Sequence, residues 1–132
     1  MRSQKVFVLG VGAQKAGTSW LHHQLASRAD TDFGFLKEYH IFDALFHPEY
    51  ECFKPKQYTP WKWRTWKRSR FIKKPERYFN YFEERLKRRE IRLTGDITPS
   101  YACLTPSSYQ LIRSEFEKRN ILTRAIFLMR DP

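Results

Sequence analysis

The first apolar run of the chain, Val6 to Leu9, is short and β-branched, Gly10 and Gly12 break it, and apolar residues return at helical spacing from Thr18 to Leu25. This pattern predicts a strand, a glycine-bearing loop, and a helix with Trp20, Leu21 and Leu25 on its inner stripe that frays near Ser27 to Asp30. Phe33-Gly34-Phe35-Leu36 is a second apolar run, read as a parallel strand that places Lys37 and Glu38 at its C-terminal end. After Pro75, Tyr78, Phe79, Phe82 and Leu86 recur at helical spacing, with Glu83, Glu84, Lys87 and Arg88 on the opposite side. Ile91 to Tyr101 reads as a strand leading into a loop stopped by Pro99. Thr105 is placed to cap a helix with Pro106 at its first position and Tyr109, Ile112 and Phe116 on one face, ending at Asn120. The last run, Ala125 to Met129, has the character of a buried strand. Strands alternating with helices predict an α/β fold with a parallel sheet and a ligand crevice at the strand C-termini.

Composition narrows the partners. The 132 residues suffice for one domain with a moderate core. A net charge of +11 with 17% aromatic residues points to anionic ligands. Cys52 and Cys103 are too few for a disulfide framework and stand in no metal-type spacing, so buried or idle thiols are expected, and no metal site. No leader-like segment precedes the first strand and no apolar run is long enough to cross a membrane, so the chain reads as soluble and cytoplasmic.

The chemistry concentrates in the first loop. A helix starting near Thr18 aims unpaired N–H groups and a positive dipole end at the loop, and Lys15 adds a full charge, which makes an anion site, most plausibly for phosphate. The order of residues differs from a Walker A loop, in which Lys directly follows the last Gly. Here Lys15 precedes Gly17, and Thr18-Ser19 follow it. A plain strand-to-helix turn with a chance lysine is the alternative. Further on, Glu38 and His40 are two apart and share a face in extended chain, a pairing suited to proton transfer; a solvated strand end with a Lys37–Glu38 ion pair is the simpler reading. His22 and His23 are adjacent, point to different sides, and are read as surface or packing residues.

Gln14-Lys15-Ala16-Gly17-Thr18-Ser19-Trp20-Leu21 resembles the 5′-phosphosulfate loop of sulfotransferases that use 3′-phosphoadenosine 5′-phosphosulfate, usually P-K-S-G-T-T-W-L. Lys37-Glu38-Tyr39-His40-Ile41-Phe42-Asp43 resembles the segment of glycan-type and bacterial members that carries a catalytic Glu. Gly95-Asp96-Ile97-Thr98-Pro99-Ser100-Tyr101 is similar to a segment that lines the site beside the acceptor, with Ile97 where relatives often have Lys, which leaves Lys15 and Lys37 to supply charge. Arg130-Asp131-Pro132 resembles the start of the 3′-phosphate motif R-D-P-x-x-R-x-x-S.

The resemblance implies a P-loop-like sheet flanked by helices and transfer of a sulfuryl group to a hydroxyl or amine acceptor, a small molecule or a glycan, without a metal. It implies donor binding by Lys15, Ala16, Gly17, Thr18, Ser19, Trp20 (against the adenine) and Arg130 (on the 3′-phosphate), with Lys15, Glu38 and then His40 as catalytic groups. The chain is then expected to be the N-terminal portion of one such domain, cut after Arg-Asp-Pro and inactive by itself. A P-loop nucleotide kinase-like phosphotransferase is the rival enzyme.

No motif matches the insert at about 53–74, whose densest part is Lys62-Trp63-Arg64-Thr65-Trp66-Lys67-Arg68-Ser69-Arg70. Basic residues interleaved with aromatics suit nucleic acid or a sulfated or acidic glycan. An irregular insert whose aromatics anchor it to the core fits the same residues. A basic nucleic-acid-binding module is therefore the non-enzyme alternative.

Overall fold

The computed structural model describes residues 4–13, 15–47 and 62–129, so the expectations for Gln14, Cys52, Trp61 and Arg130 to Pro132 lie outside the described residues. The element order is β1 (Val6–Gly12), α1 (Thr18–Ala26), α2 (Phe42–Phe46), α3 (Trp63–Lys73), α4 (Glu76–Lys87), β2 (Leu93–Ile97), a 3-10 turn (Pro99–Cys103), α5 (Pro106–Glu117) and β3 (Leu122–Phe127). The strands form a parallel sheet in the order β2-β1-β3, flanked by helices. The α/β class and the parallel sheet are as the alternation of strand and helix predicts.

β1 is buried on both faces, as the central strand of a parallel sheet must be. Phe7, Leu9 and Val11 enter the main core. There Phe7 stacks on Phe116 of α5 with ring centroids 4.0 Å apart and meets Phe82 of α4 edge-on at 4.9 Å. The α4 stripe Tyr78, Phe79, Phe82 and Leu86 is buried as its spacing predicts. Thr105 caps α5 as expected, its hydroxyl accepting from the Ser108 amide.

A carboxylate organises the C-terminal end of the sheet. Asp96 on β2 has no exposed surface, and its oxygens accept from the Tyr39 amide (3.2 Å), the Thr98 hydroxyl (2.6 Å) and the phenols of Tyr78 and Tyr101 (2.8 Å each). Tyr101 also accepts from the Ile41 amide at 3.1 Å, and the Ile97 amide donates to the Lys37 carbonyl at 3.0 Å. Segment 37–41 is thereby fastened to the end of β2. Burial pushes the Asp96 carboxyl up to about 6 against the opposing effect of its hydrogen-bond donors.

Three expectations are corrected. Phe33 to Leu36 is a turn rather than a strand: the Gly34 amide donates to Asp32 Oδ1 at 2.9 Å and Gly34 takes φ 77°, while Thr31 alone makes an isolated bridge to Leu93. Trp20 is not on an inner stripe but 64% exposed. Thr18 is the buried residue of α1, and two positions on the helix turns the side chain by about 200°, so Trp20 faces outward. The run that reads as a buried strand lies at the edge of the described sheet, with Phe127 53% and, just past the strand, Met129 87% exposed: among the described residues β3 pairs only with β1, and α5 packs on it. Cys103 is exposed.

Gly34 combines a left-handed backbone with close neighbours: a Cβ there would collide with the hydroxyls of Tyr39 and Tyr81. Gly34→Ala is expected to lower stability by about 1–3 kcal/mol through strain and overpacking, as measured by urea unfolding. An unchanged midpoint would show that the turn can move away from both phenols.

Candidate active site

β1 ends at Gly12, and α1 begins at Thr18. The β1–β3 register shifts between Gly10 and Gly12, and the contact continues past the shift, with Leu128 donating to the Gly12 carbonyl (2.8 Å) and Ala13 to the Leu128 carbonyl (3.0 Å). Lys15 is exposed with φ 59°, the Ala16 amide donates to the Ala13 carbonyl at 3.2 Å, and Gly17 is the α1 N-cap with φ 94°. The first turn of α1 carries no acidic residue and no capping side chain, so its amides and dipole meet an uncovered loop. Among the described residues nothing lies within 4 Å of where a Cβ on Gly17 would stand, so the space beside Gly17 is open.

Lys37 connects this loop to the second motif. Its ammonium donates to Ser19 Oγ at 2.9 Å and to Glu38 Oε1 at 2.8 Å. The other oxygen, Glu38 Oε2, lies 3.0 Å from His40 Nε2, and His40 Nδ1 lies 2.6 Å from Asp43 Oδ2. Ser100 Oγ donates to the same Asp43 oxygen. A continuous line of polar contacts therefore runs Ser19–Lys37–Glu38–His40–Asp43–Ser100. Glu38 and His40 come together as the sequence suggests, but not through extended chain: His40 has φ 52°, a left-handed conformation costly for a side chain with a Cβ. Arg68 of α3 holds this turn, donating to the carbonyls of Tyr39 (2.5 Å) and His40 (2.8 Å).

The charges settle one another. Burial disfavours protonation of His40, yet the carboxylates of Asp43 and Glu38 outweigh it and hold the imidazole above its ordinary value. Burial likewise disfavours the charged forms of Glu38 and Asp43, and is outweighed for Glu38 by Lys37 and His40 and for Asp43 by His40 and Ser100, so both stay below their ordinary values. Glu38 is one-third exposed, whereas the Asp43 side chain is fully enclosed. Glu38 can thus face a ligand while Asp43 works only through His40.

The structure brings Ser19, Lys37, Glu38 and His40 together and leaves Lys15 and Trp20 on the surface of the adjoining loop and helix. Of the Gly95–Tyr101 segment, Ser100 reaches the cluster, while Asp96 is enclosed in the fold rather than lining a cavity. His22 lies edge-on to Phe33 with centroids 5.3 Å apart and His23 is exposed, in line with packing and surface roles. Sequence reasoning missed Asp43, Ser100 and Arg68 as partners of the cluster. The i,i+3 spacing of His40 and Asp43 is the one signal that pointed to any of them. No group of three His, Cys, Asp or Glu side chains that could hold a metal ion is found among the described residues, and no described helix is long and apolar enough to cross a membrane. Comparison with protein-family models, curated proteins and solved structures finds no match.

The signs of the shifts fix a pH window. His40, raised on folding, contributes stability in full below its unfolded value and loses it as pH rises through the higher folded value. Glu38 and Asp43, lowered on folding, contribute above their unfolded values and lose it as pH falls through the lower folded ones. The gap in thermal stability between the parent and His40→Gln is therefore expected to be widest between about pH 4.5 and 6.5 and to shrink on both sides. The opposite trend from Asp96 is common to both proteins and cancels. A gap independent of pH would mean that His40 is not held between two carboxylates. In the same variant set, Asp43→Asn should lower the His40 ring titration followed by NMR.

Proposed function

We propose that this chain carries the donor-binding and proton-accepting groups of a sulfuryl transferase that uses 3′-phosphoadenosine 5′-phosphosulfate and a hydroxyl or amine acceptor. The observation that carries the reading is the Lys37 ammonium, which joins the first turn of α1 to Glu38 through two hydrogen bonds. An anion loop and a carboxylate base are useful together only if they meet at one reacting centre, and Lys37 is where they meet. The resemblance of the Lys15–Leu21 and Lys37–Asp43 segments to sulfotransferase motifs supplies the reaction class and, with it, a P-loop-like reading of the sheet.

The residues present fit such a donor. The open space beside Gly17 and the uncapped, acid-free start of α1 suit a phosphate, and Lys15 and the amides of Gly17, Thr18 and Ser19 are the groups to hold it. Trp20 presents an exposed ring that could lie against the adenine; Arg130, assigned to the 3′-phosphate by resemblance, lies outside the described residues. The donor supplies the sulfuryl group and departs as 3′-phosphoadenosine 5′-phosphate.

The roles of the side chains follow from where charge moves. As the acceptor oxygen bonds to sulfur, the bond from sulfur to the bridging phosphate oxygen breaks and negative charge grows on that oxygen. Lys15, Lys37 and the α1 amides stabilise it there. Glu38, ionised and exposed on the same side as Lys37, takes the acceptor proton. Its lowered basicity makes that transfer late, after O–S bond formation has acidified the acceptor. His40, with both ring nitrogens against carboxylates, is less suited to be the base and instead holds the Glu38 carboxylate in position.

Glu38→Gln keeps the shape and removes the basicity. In the intact encoded protein, turnover should fall by about 10²–10⁴-fold while affinity for 3′-phosphoadenosine 5′-phosphate, read by calorimetric titration, persists. If His40→Ala shows that loss and Glu38→Gln does not, the base is His40.

Lys15→Ala is expected to reduce the transfer rate far more than acceptor binding, because its charge matters most as the bridging oxygen leaves. Steady-state kinetics giving equal kcat in variant and parent would remove Lys15 from the leaving-group role.

A further inference from the structure

The backbone of segment 37–41 is bonded to two different parts of the fold. Its amides go to the end of the sheet, Tyr39 to Asp96 and Thr98 and Ile41 to the Tyr101 hydroxyl. The carbonyls of Tyr39 and His40 go to α3 instead, where Arg68 Nε donates to the first at 2.5 Å and Nη2 to the second at 2.8 Å. One rigid, planar guanidinium therefore bridges two consecutive carbonyls, which a fork of N–H donors can do and a single ammonium is poorly shaped to do.

Those two carbonyls belong to the peptide planes on either side of the His40 Cα. Each plane is stiff, so their mutual orientation is what φ and ψ of His40 describe, and tying both carbonyls to one group sets that orientation. The residue so held is the strained one, with φ 52°. In this conformation the ring meets Glu38 Oε2 through Nε2 at 3.0 Å and Asp43 Oδ2 through Nδ1 at 2.6 Å. Relaxation to a negative φ would redirect the Cβ and carry the ring off, leaving the Glu38 carboxylate with Lys37 on Oε1 and no imidazole on Oε2. A displacement of about 1 Å at a reacting group costs on the order of 10²-fold in rate.

The rest of α3 keeps the fork in place. Phe71, one turn beyond Arg68, is buried with its ring centre 6.1 Å from that of Tyr78 and 5.4 Å from that of Tyr81. The Lys67 ammonium lies over the rings of Phe35 (5.2 Å) and Tyr81 (4.9 Å), and Trp63 packs on Phe35 with centroids 5.5 Å apart. Contacts at both ends of the helix thus fix its rotation with Arg68 turned toward the His40 backbone.

We infer that Arg68 is a positioning residue for the proton acceptor: its guanidinium fork locks His40 in the left-handed conformation and, through the His40 ring, fixes the Glu38 carboxylate. This rests on the sulfuryl-transfer reading for what Glu38 does, and on the backbone geometry alone for the lock. The insert at about 53–74, which no motif matches, then supplies a working part of the site through α3.

The test is NMR of the intact protein and of Arg68→Lys, Arg68→Met and Phe71→Leu. Arg68→Lys keeps the charge and gives up the fork, so it is the deciding variant, and it remains so where Arg68→Met fails to fold. In Arg68→Lys the strong intraresidue Overhauser effect between the His40 amide and Hα, the mark of a positive φ, is expected to weaken. The His40 ring titration should fall and the Glu38 carboxyl titration rise, each toward its ordinary value, as the two side chains part. Arg68→Met should show the same loss of the Overhauser effect. Phe71→Leu should lower the unfolding temperature and leave all three signals as in the parent. Parent-like signals in Arg68→Lys overturn the lock, and if Arg68→Met alone is altered the charge of Arg68 acts rather than its fork. Equal changes in Phe71→Leu overturn it in favour of general packing. Calorimetric titration of the parent with 3′-phosphoadenosine 5′-phosphate separates the two claims. A parent that does not bind the nucleotide refutes sulfuryl transfer and leaves the lock standing, whereas nucleotide binding beside an unaltered Arg68→Lys refutes the lock alone.

Discussion

The fold turns on one buried carboxylate. Asp96 sits where β2 ends, and four donors reach it from four places: the backbone at Tyr39, the side chain of Thr98, Tyr78 on α4 and Tyr101 in the 3-10 turn. An isolated carboxylate in such a place would carry a large desolvation cost, and four hydrogen bonds are what makes it tolerable. Because the donors come from the 37–41 segment, from α4 and from the turn that follows β2, satisfying the carboxylate also fixes where those segments lie. The turn that displays Lys37, Glu38 and His40 inherits its position from this arrangement, so the surface chemistry is set by a group that never meets solvent.

The cluster above it is paired within itself. Lys37 and His40, whose protonated form the neighbouring carboxylates favour, face Glu38 and Asp43, so each carboxylate of the group has a cationic or proton-donating partner. The left-handed backbone at His40 would relax if it were not held, and Arg68 holds it by bonding the two carbonyls that the turn exposes. A strained residue kept in place from a neighbouring helix is a recurring property of reactive sites, where geometry is fixed before the ligand arrives. In this chain the holding residue comes from the segment with no recognisable motif.

Legibility in the sequence followed the physics that acts locally. The start of the first strand at Val6, the α4 stripe and the Thr105-Pro106 helix start depend on near neighbours and were readable, although β1 runs on through Gly10 to Gly12 where the glycines had read as breaking it. The pairing of Glu38 with His40 was readable from spacing, although by a wrong route, since the contact needs a left-handed turn and not an extended strand. Phe33 to Leu36 misled because an apolar run around a glycine suits a strand or a turn equally well, and the turn is held by Asp32, by the nearby Tyr39 hydroxyl and by the distant Tyr81 hydroxyl. The exposure of β3 was hidden because apolar content does not say whether a strand is central or at an edge. Ser100 and Arg68 reach His40 and Asp43 across tertiary contacts, which no single-chain pattern encodes.

The strand order has a consequence for how the protein is made. β1 is synthesised first but lies in the middle, so Val6 must await Leu93 for one neighbour and Leu122 for the other. At about 5–20 residues per second on a ribosome, that wait is on the order of ten seconds. Throughout it Phe7, Val8, Leu9 and Val11 have no sheet to join, although all four are buried once the chain is folded. The nascent chain therefore holds the apolar residues of β1 without their sheet partners until β2 and β3 have been made, which marks this strand as a place where misassembly between neighbouring nascent chains would begin.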